Sequence, residues 1–337
     1  MIGSLLLASM AISAQVTTRS LTVDGIEVYR LADEKSKVEV LIAPSLGNIA
    51  YSMKVNGTEV FWSPYKSPAE LKAKPQMLGN PFLAPWANRI EGMSYWVNGG
   101  QYSLNSNLGN VRTDANKNPI HGLVTFSDAW RVVESGSSNG SLVSRLEMFR
   151  NPKILAQFPF PHTLTMTYRL ADGALQVITE IENLGTEAMP VAIGYHPYYQ
   201  LPGGRDAWTV RIPSQEHVEL SPTLIPTGKR EKLSAPVDLP LKGNKQDDVY
   251  TSLIRDASGN AEFWVTNGKQ KLSFLFGPKY LVGVVYAPPG RDFVCFEPMA
   301  AITDAFNQNH KGQYPDLQTI PPGKTWREVW SIQPSGF

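Results

Sequence analysis

Along most of this chain apolar and polar residues trade places at every step, a period of two that belongs to strands and not to helices. The cleanest stretch sets Leu164, Met166, Tyr168 and Leu170 on one side against Thr165, Thr167 and Arg169 on the other. Between such stretches stand tight-turn dipeptides: Asp24-Gly25, Asn56-Gly57, Asn98-Gly99, Asn139-Gly140, Asp172-Gly173 and Asn267-Gly268. Each pairs two residues that tolerate positive φ, the requirement of a two-residue hairpin. Longer Pro- and Gly-containing loops are expected at Leu201 to Arg205 and Ser221 to Gly228. One short helix is predicted at Ser67-Pro68-Ala69-Glu70, where Ser67 caps, Pro68 fits the first helical position and Glu70 closes a capping box. Strands do not alternate with long helices, no glycine-rich phosphate loop follows a strand, and no fixed-period repeat is visible, which argues against a parallel α/β fold. The fold class predicted is all-β, a large antiparallel β-sandwich, with residues 15–337 as one domain.

Composition agrees with a packed core and narrows the partner. Apolar residues make up 42% of the 337 positions and charged ones 18%, enough hydrophobic surface to fold and too little charge for a disordered chain. With 31 basic and 30 acidic residues there is no electrostatic footprint for nucleic acid or an anionic membrane, so a neutral small molecule is the expected partner. Eight Trp and thirteen Tyr supply flat rings on which a sugar can pack, although most large rings belong to cores. Assembly as a monomer or weak homodimer is expected.

Residues 1–14 open the apolar run MIGSLLLASMAISAQ, which ends on small residues with Ala11 or Ala14 as a cleavage point. It reads as a signal peptide and places the mature protein in the periplasm or outside the cell. It lacks a leading Lys or Arg, so a mis-assigned start and a cytoplasmic protein is the other reading. The run is too short to span a bilayer. The single Cys295, in Phe293-Val294-Cys295-Phe296, has no partner for an intramolecular disulfide and is expected to be buried and inert.

Five histidines, at 121, 162, 196, 217 and 310, are candidates for proton transfer, and two have distinctive settings: Asn118-Pro119-Ile120-His121-Gly122 and Gly194-Tyr195-His196-Pro197-Tyr198-Tyr199. The bland reading of a lone His is a structural or surface residue. Pro197 fixes the backbone beside His196, and three Tyr rings could exclude water there. Glu297 closes the apolar run Phe293 to Phe296, where an ionised carboxylate is costly to bury without purpose; its bland reading is a side chain emerging into solvent. A carboxylate and an imidazole are the groups that can be tuned for reversible proton transfer near neutral pH.

These segments, taken in order, resemble the aldose 1-epimerase (galactose mutarotase) family. Pro85-Trp86-Ala87-Asn88-Arg89-Ile90-Glu91-Gly92 is similar to its Ala-Asn-Arg-Ile motif, and Asn118 to Gly122 to its Asn-x-x-His-Gly motif, with Trp130 at the usual downstream interval. Met189 to Tyr199 resembles the second histidine motif, and Glu297-Pro298 followed by Asp304-Ala305-Phe306-Asn307 resembles the catalytic glutamate region. Pro322-Gly323-Lys324 resembles the closing element, so the likeness spans about Val23 to Ile332.

The resemblance implies a twisted antiparallel supersandwich with an open sugar cleft and interconversion of the α and β anomers of a free aldose. Glu297 would take the proton of the anomeric hydroxyl and His196 would protonate the ring oxygen. Asn88, Arg89, His121, Tyr198 and Asp247 would bind the sugar, with Asp248 the rival to Asp247. No cofactor is implied, and the spacings are not those of common metal motifs. Two departures stand out. Val284 occupies a position where galactose-active members carry a glutamine, and Leu83-Ala84-Pro85-Trp86 replaces the usual Gly-Arg lead before Arg89. The competing readings are a non-catalytic carbohydrate-binding protein and a hexose-6-phosphate 1-epimerase, for which Arg112, Arg205 and Arg291 are loop candidates to hold phosphate.

Overall fold

The structure, a computed structural model, describes residues 16–136 and 140–337. The expected leader at 1–14 and the Asn139 half of one turn lie outside the described residues.

Four of the tight-turn dipeptides form hairpins with both residues left-handed: Asp24 and Gly25 at φ 49 and 76, Asn56 and Gly57 at 47 and 79, Asn98 and Gly99 at 51 and 78, Asp172 and Gly173 at 50 and 75. Asn267-Gly268 behaves differently. Strands Ala261–Thr266 and Lys271–Phe276 pair up to Thr266 and Lys271, leaving a four-residue loop. The Asn267 side chain accepts the N–H groups of Lys269 and Gln270 there, so an Asx turn replaces the two-residue hairpin.

The strands gather into antiparallel sheets. The largest has nine strands, in the order Val237–Pro240, Thr209–Ile212, Ala261–Thr266, Lys271–Phe276, Thr325–Ser335, Ala174–Asn183, His162–Ala171, Ser141–Glu147 and Arg131–Gly136. An eight-stranded sheet runs Pro226–Lys232, Ser214–Leu220, Gln246–Leu253, Val282–Ala287, Val294–Met299, Gly194–Tyr195 and Phe82–Leu83, with Tyr198–Tyr199 paired separately to Val294–Met299. Strands from Val16–Val23 to Thr58–Glu59 form a five-stranded meander. The alternation across residues 164–170 is observed as expected, with Leu164, Met166, Tyr168 and Leu170 buried.

The two large sheets pack face to face. Phe296 of the eight-stranded sheet lies 4.9 Å from the Phe274 ring and 5.9 Å from Phe263 of the other, and Tyr195 meets Trp330 at 5.3 Å. The approach is closest at Gly283, where a Cβ would stand 2.3 Å from the Phe263 ring, so only glycine fits. One face of the eight-stranded sheet is thus committed to the core. The other is free to carry a site.

The helix expected at Ser67 spans Pro68–Ala73, and Ser67 Oγ accepts the Glu70 N–H. Glu70 reaches one residue further back than a capping box requires, accepting the Lys66 N–H at 3.0 Å. Two helices, Pro152–Leu155 and Ala305–His310, were not expected. The loop expected over Ser221 to Gly228 is shorter, because Pro226–Lys232 pairs with Ser214–Leu220 and only 221–225 connect them.

His162 belongs to the core. Its Nδ1 lies 2.6 Å from the Phe160 carbonyl, and burial lowers its pKa to about 4. A depressed folded pKa gives stability that is complete above the unfolded value near 6.5 and lost as pH falls toward 4. Urea unfolding should therefore show a stability loss on the order of 3 kcal/mol between pH 7 and 4 from this group, about 1.4 kcal/mol per pKa unit. His162→Gln should flatten that slope, and an unchanged slope would remove His162 as its source.

Candidate active site

Strand register builds the site. Asp247 pairs with Tyr286 and Val249 with Val284, while Val284 pairs with Glu297 and Tyr286 with Cys295. Side chains opposite one another in register share a face. Asp247, Val249, Val284, Tyr286, Cys295 and Glu297 therefore lie on the face turned away from Phe296 and the second sheet. Glu297 does not emerge into solvent: strand Val294–Met299 continues past it and the residue is 2% exposed. The reason is that Pro298 and Met299 extend the apolar run beyond the carboxylate.

The segment Gly194 to Tyr199 lies alongside this strand. Gly194 pairs with Met299 and Tyr198 with Cys295, a register that sets His196 opposite Glu297. Pairing is interrupted between those points, since Pro197 has no N–H and the His196 N–H donates to the Pro81 carbonyl instead. His196 Nε2 sits 3.4 Å from Glu297 Oε1. Behind the imidazole, the Tyr198 ring stacks at 4.7 Å with planes 6° apart, itself packed on Trp62 and Phe293. Tyr198 is buried to the same degree as His196 and His121.

The other wall comes from two loops stitched together. The His121 N–H donates to the Asn88 carbonyl, Ile90 N–H to Pro119 and Leu123 N–H to Ala84. Asn88 and His121 are both left-handed, at φ 56 and 64, a strained state that projects their side chains toward one space. Gly122 permits this, because a Cβ there would lie 2.1 Å from the Ala84 oxygen. The His121 ring meets His196 edge-on at 5.3 Å, and its Nδ1 is buried without a partner. Arg89 donates to Asn88 Oδ1 at 2.9 Å and to Asp114 Oδ2 at 2.7 Å. Asp304, left-handed at φ 58, donates its N–H to the Arg89 carbonyl and accepts the Glu91 N–H.

Burial drives the electrostatics. It pushes Glu297 well above the usual carboxylate range, with Asp247 adding to the rise and Arg89 opposing it. Burial likewise pulls His196 down to about 3, and His121 well below its ordinary value, with His196 and the two guanidiniums of Arg112 and Arg89 adding to the latter. Asp247 is raised by burial and opposed by Arg89, so the carboxylates and that guanidinium share one field. Both members of the central pair are held toward their neutral forms, and Glu297 Oε2 is buried with no partner.

The two adjacent aspartates separate by face. Asp248 points the opposite way from Asp247 and lies 2.9 Å from His217 Nε2. Of the other histidines, His162 is core and His310 stacks on Trp96 at 4.3 Å. Glu297, His196, Asn88, Arg89, His121 and Asp247 are thus brought together, with Tyr198 behind them. Sequence reasoning named Asp304 only within a motif and gave it no role, and it missed Asp114 and Tyr286, which stands edge-on to His196 at 5.9 Å. Asp114 had a signal in Asp114-Ala115-Asn116-Lys117-Asn118, where its Oδ1 accepts two backbone N–H groups in an Asx-type turn. Among the described residues no cluster of three or more His, Cys, Asp or Glu could hold a metal. Cys295 is buried, and burial raises its thiol pKa.

The packed antiparallel sheets form a galactose mutarotase-like fold. Residues 27–333 match the aldose 1-epimerase family, and the chain belongs to it. It is 26% identical over 258 residues to the uncharacterized protein YihR of Escherichia coli K12, covering 74% of this chain and 77% of YihR. Its fold is similar to that of a galactose mutarotase-like protein from Clostridium acetobutylicum, with TM-score 0.83 and 18% identity over 96% of this chain and 99% of the other. It is also similar to galactose 1-epimerase from Lactobacillus acidophilus, with TM-score 0.75 and 13% identity over 95% and 99%.

Proposed function

We propose that the protein is an aldose 1-epimerase that interconverts the α and β anomers of a sugar by opening and closing its hemiacetal ring. The observation that carries this reading is the buried pair of His196 Nε2 and Glu297 Oε1, 3.4 Å apart on the free sheet face. Glu297 takes the proton of the anomeric hydroxyl as the C1–O1 double bond forms, the bond from C1 to the ring oxygen breaks, and His196 Nε2–H protonates that oxygen. The open aldehyde rotates about its C1–C2 bond. Closure on the other face returns both protons, with the two residues exchanging roles. Ring opening starts with the pair's single proton on His196; burial favours that proton on Glu297 in the free protein, so it crosses the 3.4 Å contact to His196 as the sugar binds.

Arg89, Asn88, His121 and Asp247 hold the sugar around this pair, and Tyr198 fixes the imidazole plane by stacking. Polarimetry on freshly dissolved pure anomers tests the reading directly. Acceleration over buffer is expected, and its absence with a broad panel of aldoses would favour a binding protein.

The two aspartates give a sharper test. Asp247→Asn should raise KM by roughly 10- to 100-fold, the worth of about 1.5–3 kcal/mol for a hydrogen bond to a charged group. Asp248→Asn should leave KM in place and cost at most about 1 kcal/mol of stability, as befits a half-exposed ion pair with His217. The reverse pattern in steady-state kinetics would assign the sugar contact to Asp248.

A further inference from the structure

Arg89 reaches the proposed site already held on two sides. Its Nε donates to Asp114 Oδ2 at 2.7 Å and its Nη1 to Asn88 Oδ1 at 2.9 Å, while Nη2 has no acceptor among the described residues and yet is not sealed from water. The ion pair is largely covered, with side-chain exposures of 16% for Arg89 and 9% for Asp114. Desolvation cancels much of the attraction in such a pair, so it fixes direction more than it adds stability. A planar guanidinium held at Nε and Nη1 can point Nη2 only one way.

Asp114 is itself fixed. Its Oδ1 accepts the N–H groups of Asn116 and Asn118, both at 2.9 Å, and its own N–H donates to the Asn118 carbonyl at 2.9 Å. Asn118 Oδ1 accepts the Gly92 N–H at 3.2 Å, which ties this turn to the Arg89 loop. The two carboxylate oxygens therefore divide the work: Oδ1 closes the turn and Oδ2 faces Arg89. Burial opposes ionisation of Asp114, but the Arg89 bond and the N–H groups of Asn118 and Asn116 outweigh it and hold the carboxyl below the usual carboxylate range.

The Arg89 charge is felt throughout the site. Beyond burial, Asp247 and Arg89 act on Glu297, Arg112 and Arg89 act on His196, and His196 with both guanidiniums acts on His121. Arg89 is the one charge common to all three groups, and Asp114 is the carboxylate paired with it.

We propose that Asp114 is a positioning residue for anomer exchange, aiming Arg89 Nη2 at a sugar hydroxyl beside Glu297 and offsetting the guanidinium charge next to the catalytic pair. This rests on the aldose 1-epimerase reading.

Asn is the informative replacement, because its side-chain oxygen can still close the turn while its amide nitrogen cannot accept from Arg89. With glucose, galactose and xylose as polarimetric probes, Asp114→Asn should lower kcat/KM on the fastest sugar by roughly 10- to 100-fold, mainly through KM. Both limbs of the pH profile of kcat/KM should move to lower pH, since an uncompensated guanidinium disfavours the protonated form of each group. A merely loosened loop would act otherwise: by admitting water it would relax Glu297 and His196 toward their ordinary values and bring the limbs together. Asp114→Glu restores the charge but not its place, so the limbs should return while KM stays high. If Asp114 acts through Arg89, adding Asp114→Asn to Arg89→Gln should change kcat/KM by less than about twofold. That double variant carries no unpaired guanidinium, so it is readable even if Asp114→Asn alone fails to fold. Native kinetics in Asp114→Asn, limbs that converge or stay in place, or a larger loss in the double variant would overturn the assignment while leaving the epimerase reading intact. If the native chain accelerates none of the sugars, the epimerase reading fails, and the same cycle read on sugar affinity by saturation-transfer NMR decides Asp114 by the same bound.

Discussion

Replacing Glu297 by Gln should lower turnover by on the order of 10² to 10⁴ while leaving sugar affinity largely in place. The amide keeps the size and reach of the carboxylate but cannot take the anomeric proton, and Arg89, Asn88, His121 and Asp247 are untouched. The same change should not destabilise the protein at neutral pH. Burial holds the Glu297 pKa well above the ordinary carboxylate range, so its contribution to stability is complete below the unfolded pKa and lost as pH rises through the folded one. A neutral amide escapes that loss. Thermal melts at pH 8 should therefore show Glu297→Gln at least as stable as the native chain, and the gap should close toward pH 4. An inactive variant that is also markedly less stable at pH 8 would mean that Glu297 is structural, and a near-native rate in polarimetry would remove it from the chemistry.

The parts of the fold that could be read from sequence were those fixed by local chemistry. Asp24-Gly25 and Asp172-Gly173 turn where they do because both residues accept positive φ, and the strand across 164–170 buries alternate residues because one side of it is apolar. The Asn267 turn was misread because side-chain acceptance of two N–H groups competes with the hairpin, and a dipeptide signal cannot weigh that competition. Helix Ala305–His310 was missed for a different reason. It is six residues long and starts at a left-handed Asp304 whose carboxylate is spent on Glu91, Asn307 and Gln308, tertiary and local bonds that leave no period in the sequence.

At the site, motif resemblance pointed to the residues but not to their arrangement. Asp247 and Asp248 are indistinguishable as neighbours in a string, and only the pairing with Tyr286 and Val285 turns one toward Glu297 and the other toward His217. Likewise, Arg112 seemed equivalent to Arg205 and Arg291 as a loop cation. The fold gives Arg205 backbone acceptors, leaves Arg291 exposed, and turns Arg112 toward the Thr125 hydroxyl and the Phe126 ring.

The largest effect expected of any change concerns the pair as a unit. His196→Asn should reduce turnover by on the order of 10² to 10⁴ through loss of the ring-oxygen acid, and combining it with Glu297→Gln should cost far less than the product of the separate losses. The reason is the shared proton: once either group is gone, the other has nothing to exchange it with. The same argument fixes the pH profile. The working state holds one proton between the two groups, so activity should fall at low pH, when both are protonated, and at high pH, when neither is. Burial lowers His196 to about 3 and raises Glu297, which pushes the two limbs apart. The acidic limb of kcat/KM, corrected for the buffer-catalysed rate, should accordingly lie well below pH 6.5, the ordinary histidine value, and the basic limb well above the ordinary carboxylate range. A limb at 6.5 or higher on the acid side would mean that His196 titrates as a free imidazole. Fully multiplicative losses in the double variant would mean that the two residues act in separate steps.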